Sequence, residues 1–246
     1  MIIILTPGKV GSTSVLESLC SSEFSKGYKT CYSITEEPIY HLHSIAKELP
    51  ADWKNEHDKL GNKIAQLYHG QNEINWKFIM GVRDPIVTLI SAYYQNQYSK
   101  KGPLLECMDN DFLPIHMSWM QNFISSVYKT ELGINLYEQP FDKEKGYSIF
   151  NQGKTSTLIY RLDKLGLIFQ EAIEKFLNIS NVTLLKTHVT IDKNLNYNGT
   201  SIKDSYEMAK RNFKLPKERV IEIYNHESVR HFFTEEEIAR FIEKWS

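Results

Sequence analysis

The first twenty residues constrain this chain more than any other stretch. Residues 2–6, Ile-Ile-Ile-Leu-Thr, form an apolar, largely β-branched run of the kind found in a strand buried on both faces. They pass without a break into Pro7-Gly8-Lys9-Val10-Gly11, and then into a stretch that carries Val15, Leu16, Leu19 and Cys20 on one side of a helix. The spacing of Ser14 and Glu17 predicts a capping box for that helix. Strand, glycine turn and helix in this order open an α/β fold. The opening run lacks the basic start and the long apolar stretch of a secretory signal.

The remaining sequence continues the alternation. Residues 29–34, 76–82, 147–151, 157–161 and 182–185 read as strands, and residues 53–68, 112–132 and most of the C-terminal third as helices. Asp84 and Pro85 supply an N-cap and a first-turn proline for a helix that follows the strand at 76–82. Thr234 and Glu237 predict a second capping box, ahead of a face formed by Ile238, Phe241, Ile242 and Trp245. The pattern predicts a three-layer α/β sandwich, with a central parallel sheet flanked by helices. No linker-like tract divides residues 1–246, so a single domain is expected.

Composition excludes several roles. No apolar run approaches the roughly 18 residues needed to cross a bilayer, so the chain is expected not to span a membrane. A formal net charge of −1 offers no general field for nucleic acid, and an anion site must therefore be local. Cys20, Cys31 and Cys107 are odd in number and contain no Cys-x-x-Cys pair, which argues against a disulfide framework and against a thiolate zinc site. A cytoplasmic protein without a metal is expected.

Two clusters carry chemistry. In the first, Lys9, Val10, Gly11, Ser12, Thr13 and Ser14 follow a strand and open a helix. Glycines let backbone N–H groups approach an anion, the helix terminus adds partial positive charge, and the hydroxyls and Lys9 complete a phosphate cradle. The lysine precedes the second glycine, so the pattern is not a Walker A loop. In the second, Arg83 ends a strand and Ser91 follows eight positions later, and an arginine fork with a serine hydroxyl suits a phosphate. Each cluster taken alone also has a purely structural reading, as a tight turn and as a helix cap.

Together the clusters resemble the two nucleotide-binding motifs of the sulfotransferases that use 3′-phosphoadenosine-5′-phosphosulfate (PAPS). The resemblance implies that Lys9 to Ser14 bind the 5′-phosphosulfate, that Arg83 and Ser91 bind the 3′-phosphate, and that the fold is P-loop-like. The proline that usually precedes the lysine is displaced, with Pro7 one position early and Gly8 in its place. Tyr40-His41-Leu42-His43, in a loop or helix start after the second strand, is similar to the Tyr-His-x-His segment of glycosaminoglycan uronosyl O-sulfotransferases. It implies a histidine base, His41 first, with His43 orienting. The segment 224–246 resembles bacterial sulfotransferase-like proteins of capsular polysaccharide synthesis. The acceptor implied is a carbohydrate, the product nucleotide adenosine 3′,5′-bisphosphate, and no metal is required. Lys9 would neutralise charge on the leaving oxygen.

Other residues stay open at this point. Glu36, Glu37 and His188 are alternative bases, and Trp53, Trp119, Tyr94 and Tyr98 could stack on sugar rings. A P-loop-like nucleotide kinase or other phosphotransferase would use the same loop position, and a non-catalytic capsule-assembly protein could retain the fold.

Overall fold

The computed structural model describes residues 1–20, 30–32, 34, 36–48, 56–105, 112–185, 196–197 and 200–246. It forms two compact units, each assembled from two chain segments: Met1–Val82 with Phe123–Leu185, and Arg83–Asn122 with Lys186–Ser246. The fold is α/β.

The first unit holds the sheet. Its strands are β1 (Ile2–Leu5), β2 (Thr30–Tyr32), β3 (Pro38–Leu42), β4 (Trp76–Val82), β5 (Tyr147–Gln152) and β6 (Thr155–Arg161). Their order across the sheet is β2-β3-β1-β4-β6-β5. The inner strands β3, β1, β4 and β6 run parallel, while β2 and β5 pair antiparallel at the two edges. Parallel strands bring all their carboxyl ends to one edge, the usual place for a ligand in such sheets. The turn after β1, the residues after β3 and the end of β6 therefore share that edge.

Alternation along the strands supplies two faces. Ile2, Ile4, Ile39, Ile79 and Leu158 pack with Val15, Leu16 and Leu19 of helix α1 (Ser12–Leu19). Ile168, Phe169, Ile173 and Phe176 of a helix at Leu165–Leu177 cover the same face. Burial of each such side chain contributes about 1.5–3 kcal/mol. On the other face Tyr68, from α2 (Glu56–Gly70), meets Trp76 and Phe78 edge-on, and Phe78 meets Tyr128. Tyr128 lies in π-helical turns at Ile124–Glu131, where the sequence suggested one helix over 112–132.

Several local expectations change. The Tyr40–His43 segment is not a loop or helix start: residues 38–42 form β3, in register with β1 from Ile2↔Ile39 to Leu5↔Leu42. No capping box forms at Ser14 and Glu17, because α1 begins earlier, at Ser12, with Gly11 as its N-cap at φ 77° and no side-chain cap. Residues 182–185 form no strand; their amides go to side chains instead, Val182 N–H to Glu174 at 3.4 Å and Leu185 N–H to Ser18 Oγ at 2.8 Å. The helix at Leu165–Leu177 fits the helical reading of the C-terminal third. Finally, Cys20 is disulfide-bonded, a bridge that the cysteine count did not pick out. Ile34 N–H donates to Leu19 O at 2.8 Å, so the fold sets the end of α1 against the segment after β2, a proximity that sequence spacing does not encode.

In the second unit Asp84 caps α3 (Pro85–Asn96), as expected, accepting from Ile86 N at 2.9 Å and Val87 N at 3.3 Å. The same carboxylate accepts Tyr224 O–H at 2.6 Å and Trp245 Nε1–H at 3.0 Å. Trp245 ends the C-terminal helix Glu235–Trp245, whose capping box at Thr234 and Glu237 forms as expected.

Candidate functional site

The backbone of the glycine turn takes an uncommon path. Gly8, Lys9 and Gly11 have φ of 91°, 59° and 77°, the left-handed region that favours glycine. A Cβ at Gly11 would also fall 2.6 Å from Leu162 Cδ1. Lys9 has no such excuse, and holding a lysine there costs on the order of 1–3 kcal/mol, a form of strain that concentrates at functional sites. Val10 is buried, while Lys9, Thr13 and Ser14 are half-buried. The first amides of a helix have no partner within it, and here the N-cap position brings no side chain to cover them. The arrangement suits an anion.

Two phenols and a histidine hold this turn from beneath. Tyr128 O–H donates to Leu5 O at 2.9 Å, and Tyr160 O–H donates to Val10 O at 2.9 Å. His43 Nδ1 lies 3.0 Å from Thr6 O. A carbonyl only accepts, so Nδ1 carries the proton of neutral His43, and Nε2 is left as the basic nitrogen. Neither tyrosine was singled out from the sequence, and nothing in their spacing marks them.

β3 delivers the histidine pair to the same edge. His41 stands opposite Ile4 in the β1 register, and its Nε2 is 2.9 Å from Ser12 Oγ. It is 1% exposed and Ser12 is 4% exposed, so this contact is internal. His43, two positions on, is half-buried, and the two rings meet edge-on with centroids 4.7 Å apart. Of the expected site residues, Lys9, Val10, Gly11, Ser12, Thr13, Ser14, His41 and His43 are thus gathered in one unit. Arg83, half-buried, and Ser91, buried on α3, belong to the second unit.

The alternative bases are placed elsewhere. Glu37 precedes β3, at the sheet edge opposite the turn, where it accepts the Met1 amino group at 3.0 Å and Lys77 Nζ at 2.7 Å. Its burial raises the carboxyl pKa, but these hydrogen bonds outweigh it and hold the group below the usual range. Glu36 is exposed next to it. His188 and Trp53 lie outside the described residues, as does the Trp119 side chain. Tyr94 and Tyr98 are each 1% exposed and stack on one another, which makes them core. Arg161, fully buried at the end of β6, is committed to Asp163 at 2.6 Å and to Lys143 O at 3.2 Å.

A family model described as "Putative capsular polysaccharide synthesis protein" (NKWYS) matches residues 108–234, just over half of the chain. The chain belongs to the NKWYS family. The match spans the stretch from before the π-helical turns to the start of the C-terminal helix, β5 and β6 included, and overlaps the capsule-like segment at 224–246 only in its first part. No curated protein and no solved structure gives a significant match to this NKWYS protein. Among its described residues no helix is long and apolar enough to cross a membrane, and no group of three or more His, Cys, Asp and Glu is placed to hold a metal ion.

Proposed function

We propose that this NKWYS-family protein is a sulfotransferase that moves a sulfuryl group from PAPS to a hydroxyl of a carbohydrate acceptor. The observation that carries the reading is the turn after β1, where a positive-φ backbone, a helix start without a side-chain cap and Lys9 meet the ordered histidine pair of β3. The capsule-related family supports a carbohydrate setting.

PAPS supplies an activated sulfuryl group on a good leaving phosphate. The chain's part is positioning, charge and proton transfer. The amides and hydroxyls from Lys9 to Ser14 would bind the 5′-phosphosulfate. The acceptor oxygen bonds to sulfur as the bond from sulfur to the bridging oxygen breaks. That bonding pair leaves with the 5′-phosphate, whose new charge Lys9 offsets, and the acceptor proton passes to a histidine. His43 takes this role in our reading, since its Nδ1–H is spent on Thr6 O and its Nε2 is basic. His41 acts through Ser12.

Thermal shift decides between this and a phosphotransferase. Adenosine 3′,5′-bisphosphate is expected to raise Tm while ATP with magnesium does not. Stabilisation by ATP with magnesium alone would replace the reading with the kinase one. Stabilisation by neither would favour a non-catalytic assembly role.

A further inference from the structure

Tyr160 stands on β6, and β4 lies between β6 and β1 in the sheet. Its register partner on β4 is Gly81. A Cβ at Gly81 would fall 2.7 Å from Tyr160 Cζ, 2.7 Å from its oxygen and 2.8 Å from Val10 Cγ2. The lack of a side chain at that one position leaves a window through which the phenol crosses β4 and reaches Val10 O. Tyr160 and Val10 are each 1% exposed, so the bond is dry, and burial raises the phenol pKa and keeps it a donor.

The peptide group is planar and trans, so the carbonyl and the N–H of one peptide unit point in opposite directions. Tying Val10 O inward to Tyr160 therefore turns the N–H of Gly11 the other way, out of the protein core. Leu5 O and Thr6 O are held by Tyr128 and His43 in the same manner, but the next nitrogens differ. Thr6 N–H goes to Leu42 O at 3.1 Å, and Pro7 has none. Only the Val10–Gly11 peptide converts a clamped carbonyl into a donor at the mouth of the turn.

We propose that Tyr160, acting through the Gly81 window, is a positioning residue for anion binding: it orients the Val10–Gly11 peptide so that the Gly11 N–H meets the ligand's phosphate. The proposal rests on reading the turn as an anion cradle. It requires no residue of the second unit.

Titration calorimetry with inorganic pyrophosphate and, separately, with adenosine 3′,5′-bisphosphate tests it. Tyr160→Phe keeps the ring and removes the O–H, and both affinities are expected to fall about tenfold, the worth of a typical buried hydrogen bond. On neighbouring β5, Tyr147→Phe, which removes a phenolic bond to Glu171 of the helix at Leu165–Leu177, is expected to leave both at the wild-type value. Equal affinities in Tyr160→Phe and wild type overturn the proposal, and so does an equal fall in Tyr147→Phe, which would mean general softening. Wild type binding pyrophosphate but not the nucleotide removes the sulfotransferase reading, while the Tyr160→Phe pyrophosphate ratio still judges the clamp. Wild type binding neither removes both. Hydrogen exchange on wild type needs no variant: the Gly11 amide is expected to gain protection with pyrophosphate, and unchanged exchange there would also overturn the clamp.

Discussion

His41 and His43 differ in what holds them, and so in what their loss should do. His43→Ala is expected to lower sulfuryl transfer roughly 10²–10⁴-fold with nucleotide affinity kept, because it removes a proton acceptor. His41→Ala takes the partner from Ser12 and is expected to weaken nucleotide binding as well. Transfer rates and calorimetric affinities on the two variants check the split, and equal profiles would refute it. Asp84 gives a residue-scale expectation for pH. Burial raises its pKa against the hydrogen bonds from Tyr224, Trp245 and two amides. The native state thus holds its proton more tightly than the unfolded chain. The resulting stability is present below the unfolded value, about 3.9, and is lost as pH rises through the raised native one. Asp84→Asn is expected to flatten Tm against pH in that window.

At the scale of elements, the C-terminal helix offers the cleanest measure. Thr234→Ala removes the cap and is expected to cost about 1 kcal/mol in denaturant unfolding, with the m-value unchanged. This cap was legible because a capping box is a local pattern of two side chains and two amides. The same holds for β4, matched from Trp76 to Val82, and for Asp84 with Pro85 at the head of α3. The false box at Ser14 shows the limit: Gly11 and its left-handed φ started α1 two positions before the first residue the pattern offered as a cap. β3 was missed because Tyr40-His41-Leu42-His43 lacks the apolar run of a buried strand, and pairing with β1 on one side and β2 on the other makes it one. In the candidate site, Lys9 and the histidines were candidates from residue type alone. Tyr128 and Tyr160 were not, since their roles exist only once strand order and the π-helical turns are known.

At the scale of the molecule, the chain passes between its compact units at Val82–Arg83, Asn122–Phe123 and Leu185–Lys186, none of which is a linker in composition. The Cys20 bridge can be counted chemically. With three cysteines in the chain, thiol titration under denaturing conditions is expected to count one before reduction and three after. Three before reduction would remove the bridge. The buried phenols set a further bound on the whole fold. Tyr128, Tyr160 and Tyr224 all have pKa values raised by burial, whereas in the unfolded chain each ionises near 10. Native stability drawn from them is complete below that pH and drains away above it. The protein therefore has an alkaline ceiling: in a spectrophotometric titration these rings should stay dark while surface tyrosines ionise, and then appear as the unit that holds each of them comes apart.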